Sequence, residues 1–137
     1  MFSNKNNKMS SLEKKAYQIL SQEKIPFIQE KQFADGGKVK HYRFDFYLPK
    51  NRTVIEMQGI QHYQYTKVFH KTKSDFTKGQ ERDRRKISYC LAHDIKIYCI
   101  PFWEIDNIVT LKDLLNDRFL AKTSFHNDDV WRQQNHK

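Results

Sequence analysis

Long apolar runs are missing from this sequence. None approaches the roughly 20 residues a helix needs to cross a bilayer. The first nine residues, Met1 to Met9, are polar and lack the apolar core of a signal peptide. A soluble, cytoplasmic protein with no membrane partner is therefore expected. Cysteine is scarce too: there are two, Cys90 and Cys99, and no C-x-x-C pair, so no zinc spacing is present. Both read as buried free thiols suited to a reducing compartment. Acid is in deficit, with 16 Asp and Glu against 25 Lys and Arg, a formal net charge of +9 and a pI near 9.5. That balance favours a polyanion such as nucleic acid, or an anionic membrane surface.

What is present suits one packed domain. The 137 residues include 10 Phe and 7 Tyr, enough for a core without disulfide staples. The positive charge is concentrated: Gln64 to Lys86 holds eight Lys and Arg against three acids.

Periodicity divides the chain. Residues 1–10 read as a flexible tail, 11–122 as the domain and 123–137 as a loose polar tail. Ser10-Ser11 offers an N-cap, and Leu12, Ala16, Ile19 and Leu20 repeat at helical spacing, predicting a helix over Ser11 to Glu23. Phe27 to Phe33 alternates, with Phe27, Gln29, Lys31 and Phe33 on one face. After the Asp35-Gly36-Gly37 turn, His41 to Leu48 puts Tyr42, Phe44, Phe46 and Leu48 on one face and Arg43, Asp45 and Tyr47 on the other. Thr53 to Met57 is a third strand, closed by Gly59, which offers a sharp exit. These three predict an antiparallel meander. Gln61 to Lys78 lacks periodicity and reads as a long functional loop. Gly79 to Asp94 predicts a helix with Ile87, Cys90 and Leu91 inward, Ile95 to Ile100 a buried strand, and Ile108 to Phe119 a last helix with Leu111, Leu114 and Leu115 inward. The order α-β-β-β-α-β-α implies an α/β fold, a mixed sheet flanked by helices.

Two strand carboxylates stand out, Asp45 in RFDFYL and Glu56 in VIEMQG, eleven residues apart. Apolar neighbours place both near the sheet, where a charge is costly unless paired or bound to a metal. Carboxylates converging from adjacent strands repel, and a hard cation relieves that repulsion. Alternatively, both acids face solvent on the wet side of an antiparallel sheet. Gln58 shares Glu56's face. His62 follows in Gln61-His62-Tyr63, and Glu13 lies on the first helix.

The run Asp45, Glu56, Gln58 resembles the motif of the PD-(D/E)XK nucleases, with Gln where Lys is usual. The branch it is similar to includes very-short-patch repair endonucleases and small phage-type homing endonucleases. The resemblance rests on Glu13, IEMQGIQHY, Asp83-Arg84-Arg85-Lys86 and IKIYCIP, and spans about residues 11 to 105. It implies a restriction-endonuclease-like core and a metal-dependent DNA endonuclease that hydrolyses phosphodiester bonds. Asp45, Glu56 and the Met57 carbonyl would hold Mg²⁺, for which Mn²⁺ would substitute, with Glu13 contacting it directly or through water. Gln58 would only orient water by hydrogen bonding, which turns attention to His62 as a general base or acid. Lys86 is a second candidate, reaching in from its helix. A phage-encoded chain would act in the host-cell cytoplasm.

The basic residues Lys67, Lys71, Arg82, Arg84, Arg85 and Lys86 are expected to bind nucleic acid, in all expectation double-stranded DNA. A plainer reading makes Asp83 and Lys86 an exposed i,i+3 pair. Two other function classes remain open: a catalytically silent nucleic-acid-binding module on the same fold, and a partner-binding protein with a basic face. A homodimer through the last helix would bring two sites to two antiparallel strands. Packing of that helix within one subunit is the plainer use of its leucines.

Overall fold

Ser10 starts the first helix as the spacing predicts. Its hydroxyl accepts from the Glu13 amide at 3.1 Å, and the Glu13 carboxylate accepts from the Ser10 amide at 3.3 Å. This capping box satisfies two amides that the first turn leaves unpaired. Helix α1 (Ser11–Gln22) buries Leu12, Ala16, Ile19 and Leu20. The computed structural model describes residues 9–135. The first eight residues of the expected N-terminal tail and the last two of the expected C-terminal tail lie outside them.

Three strands follow: β1 (Ile28–Lys31), β2 (Phe44–Leu48) and β3 (Thr53–Gln58). They form the expected antiparallel meander, with Phe46 opposite Ile55 in the β2–β3 pair. Helix α2 (Lys73–Ala92) then crosses over to β4 (Lys96–Pro101), which lies parallel to β3. The sheet is four-stranded and mixed, in the order β1-β2-β3-β4. The fold is therefore α/β, as the element order implies.

One core lies on the α1 side of the sheet: Leu12, Ala16, Ile19 and Leu20 meet Phe46, Leu48, Ile55, Met57, Tyr98 and Ile100. The other lies on the α2 side, where Ile87, Tyr89 and Cys90 meet Phe44, Tyr47, Val54, Ile97 and Cys99. Both cysteines are free and buried. Burial pushes the Cys90 thiol up to about 12 and holds Cys99 well above its ordinary value, so both stay protonated.

Several boundaries differ from the sequence reading. Phe27 packs against the first core and Phe33 sits in the second, so they do not share a face. Glu30 between them has φ of 50°, which breaks the strand's alternation. Tyr42 and Phe44 likewise separate from Phe46 and Leu48, because regular β2–β3 pairing stops at Phe46. Helix α2 begins at Lys73 rather than Gly79, started by a Thr72–Asp75 capping box, so the last third of the expected loop is helical. Its Leu91 is 42% exposed rather than inward. The last expected helix is broken into a short α3 (Leu111–Leu114) and a 3-10 turn at Asp117–Phe119.

Ile108 and Leu114 are buried in the chain's own first core, and Leu111 and Leu115 pack against it. The residues proposed for a dimer contact are thus engaged within one subunit. The segment expected to be a loose tail from Thr123 carries helix α4 (His126–Asn135). Its Trp131 stacks on Tyr63 at 5.7 Å between ring centres and also meets Trp103.

Candidate active site

The end of regular β2–β3 pairing builds the carboxylate pair. Beyond Phe46 and Ile55 the two strands are joined by side chains. The Asp45 amide donates to Glu56 Oε2 at 2.6 Å, and the Met57 amide donates to Asp45 Oδ2 at 2.8 Å. Each acid thereby takes an amide of the opposite strand. Glu56 is 3% exposed, and Asp45 is half-buried. The two converge inside the fold, so the reading of both as solvent-facing acids is overturned.

Lys86 enters this acid pair from α2. Its Nζ donates to Glu56 Oε1 at 2.5 Å and to the Arg43 carbonyl at 2.7 Å, and it lies 4.9 Å from the centre of the Phe44 ring. Burial pulls the Lys86 ammonium down, but Glu56 and Asp45 more than offset it, so its pKa ends above the ordinary value. Asp45 is raised well above the usual carboxylate range. Burial is the main cause, followed by the charge of Glu56; Glu13 raises it further, while Lys86 and the Met57 amide lower it. Glu13 is therefore close enough to act on Asp45 electrostatically, although its carboxylate also closes the α1 capping box.

A second cluster lies one helical turn earlier on α2. Asp83, 6% exposed, accepts through Oδ2 from His62 Nδ1 at 2.9 Å. His62 sits on the 3-10 turn Ile60–His62 that leaves β3. Asp83 and Lys86 both point into the fold and find partners there, so they do not form the exposed i,i+3 pair of the plainer reading. His62 and Asp83 also line a cleft of about 470 Å³ together with Gln61, Phe69, His70, Lys78 and Arg82. Asp45 and Glu56 are not among its lining residues.

Gln58 is 2% exposed, and its carbonyl accepts from the Tyr63 hydroxyl. Gly59 has φ of −73°, an ordinary extended value. A Cβ there would meet only the end of the Gln61 side chain, at 2.5 Å, which can swing aside.

The basic residues disperse. Lys67, Lys71 and Arg82 are exposed. Lys86 is buried in the acid pair, so its expected place on a nucleic-acid surface is corrected: the Glu56 carboxylate holds it inside. Arg84 pairs with Asp128 of α4 through Nε and Nη2, each at 3.1 Å. Arg85 donates to the Tyr42 hydroxyl at 3.2 Å.

No protein-family model matches the chain. It is 33% identical over 100 residues to uncharacterized protein 094L of frog virus 3 (isolate Goorha), covering 72% of this chain and 59% of that protein. Uncharacterized protein 307L of invertebrate iridescent virus 6 is 33% identical over 70 residues, 51% of this chain and 32% of that protein. The chain thus spans about three fifths of one relative and a third of the other. Both relatives are viral. Among the described residues, no helix is long and apolar enough to cross a membrane.

Sequence reasoning missed Asp83 as the partner of His62, and Asp128 as the partner of Arg84. For Asp83 a signal existed. Ile87 and Cys90 define the buried face of α2, and Asp83 and Lys86 lie on that same face at helical spacing.

The donor chemistry narrows which cation the site would suit. Among the described residues no group of three or more His, Cys, Asp or Glu is spaced to hold a metal. Two carboxylates are a donor set of the kind Mg²⁺ takes, since it keeps most of its waters and uses one or two carboxylates. They do not fit the four-donor habit of structural zinc.

Proposed function

We propose that this chain is a metal-dependent DNA endonuclease of the PD-(D/E)XK type, acting on double-stranded DNA in the host-cell cytoplasm. The observation that carries the reading is the pair of carboxylates, Asp45 and Glu56, converging where β2 and β3 part. A buried Lys86 beside them and a His62–Asp83 pair one turn away add to it.

Asp45, Glu56 and the Met57 carbonyl would hold the cation. When bound, Mg²⁺ or Mn²⁺ polarises a phosphate oxygen and stabilises charge on the leaving oxygen. His62, oriented by Asp83, would take the proton of the attacking water as the new P–O bond forms. The old P–O bond breaks, and the leaving oxygen gains a proton from solvent. Lys86 would supply, from α2, the ammonium that Gln58 lacks, and would orient the attacking water. Gln58 is turned to Tyr63 and has a positioning role. Lys67, Lys71 and Arg82 would contact phosphates.

A specific observation favours a second reading, a silent DNA-binding module. The acid pair is already satisfied by opposing amides and by Lys86 without any metal. Plasmid cleavage with and without Mg²⁺ decides between the two. The wild-type chain is expected to cut only with the metal. Asp45→Ala and Glu56→Ala should lose cleavage while keeping DNA binding, because neither removes a basic residue. Cleavage by either variant at near wild-type rate would defeat the site assignment. The same gel reads assembly: a monomer nicks before it linearises, whereas a dimer engaging both strands gives linear product early.

A further inference from the structure

The Arg84–Asp128 pair joins α4 to the helix that carries Asp83 and Lys86. A guanidinium fork that takes a carboxylate through two N–H groups matches a phosphate equally well. Asp128 therefore sits where a phosphate would. Phe125 lies beneath the same guanidinium, 5.2 Å from ring centre to Cζ.

The contact has a defect. Asn127 is 8% exposed, and among the described residues neither its amide nitrogen nor its carbonyl oxygen finds a hydrogen-bond partner. It lines a small cavity with His62, Asp83, Arg84, Asp128 and Trp131. Buried unpaired amides are rare because their desolvation goes uncompensated. Docking of α4 thus combines an ion pair and the Trp131 ring contacts with a buried amide that undocking would expose. The cavity also abuts the His62–Asp83 pair.

We infer that Arg84 is a phosphate subsite for duplex DNA, and that Asp128 holds it in competition until the duplex displaces α4. This rests on the proposed function, since it takes DNA as the partner. Trp131 would leave its stack on Tyr63 in the exchange, and Asn127 would reach water.

The test is duplex binding in EDTA, which removes cleavage from the readout. Asp128→Asn is expected to tighten binding about fivefold, the scale of a partly exposed ion pair. Asp129→Asn makes the same charge change but gives up an exposed i,i+3 partner, Arg132, and not Arg84, and should have little effect. Arg84→Gln should weaken binding and abolish the gain from Asp128→Asn when the two are combined. Hydrogen exchange of the α4 amides should accelerate when the wild-type chain binds duplex. Equal gains from the two Asp variants, an additive double variant, or slower α4 exchange on binding would overturn the inference. Those results would leave the proposed function standing. A wild-type chain that binds no duplex at low salt overturns both.

Discussion

Lys86→Met is the most informative single change in this chain. Met nearly preserves the side chain's length and bulk while deleting the charge. In the folded protein Lys86 is 7% exposed and Glu56 3%, so solvent screens their 2.5 Å contact weakly. Removing one partner of a buried ion pair leaves the other charge uncompensated, at about 3–5 kcal/mol. Asp45 remains beside Glu56, so the pair is left without its cation. Urea unfolding should therefore lose a large part of a typical domain's stability of about 5–15 kcal/mol. The double variant Glu56→Gln with Lys86→Met removes both charges and keeps an oxygen for the Asp45 amide. It should recover to within about 1–2 kcal/mol of wild type. Mg²⁺ should stabilise Lys86→Met more than wild type, since the variant's acids have lost their cation. At ten times its dissociation constant, bound metal adds about 1.4 kcal/mol. A loss below about 1 kcal/mol in Lys86→Met, or equal Mg²⁺ stabilisation of variant and wild type, would refute the charge-balance argument.

His62→Ala should lower cleavage at least about 100-fold, the usual scale for a lost general base, with duplex affinity in EDTA unchanged. Asp83→Asn should lower cleavage less and leave binding intact, as expected of a group that orients His62; equal affinity losses in both variants would mean they hold DNA instead. Duplex affinity should fall steeply with salt, because bound phosphates release counterions. Arg82→Gln with Arg84→Gln and Arg85→Gln should flatten that slope in a salt titration, and an unchanged slope would put the DNA on another face.

Much of the sheet could be read from the sequence. Alternating aromatic and β-branched residues bounded by Gly and Pro mark the meander, and IKIYCI marks a buried strand. The errors share a cause. Period-2 reading assumes an unbroken pleat, and the chain breaks it at Glu30 and at Asp45. Helix α2 was cut short because its first turns carry no apolar stripe, although Thr72 and Asp75 spell a capping box. Helix α4 has a polar sequence and docks through a few aromatic contacts and one ion pair, which no local pattern announces.

The site was legible where function and local pattern coincide, and illegible where partners are distant in sequence. Asp45 and Glu56 stood out because acids inside apolar strands need a reason. Lys86 and Asp83 looked like partners because three residues separate them on one helix. Once that helix face is buried against the sheet, the choice changes. A buried ammonium gains more from the carboxylate of β3, itself nearly dry, than from a neighbour on its own helix. A buried carboxylate gains more from an imidazole able to share a proton. The long-range pairs therefore win, and they place an ammonium on the acid pair and leave Asp83 to orient His62. The same logic explains Arg84. Next to Arg85 it reads as one more surface charge, yet α4 brings it a carboxylate in bidentate geometry. Which basic residues remain for DNA is thus decided by tertiary partners, and the charge count of the 64–86 stretch overstates them.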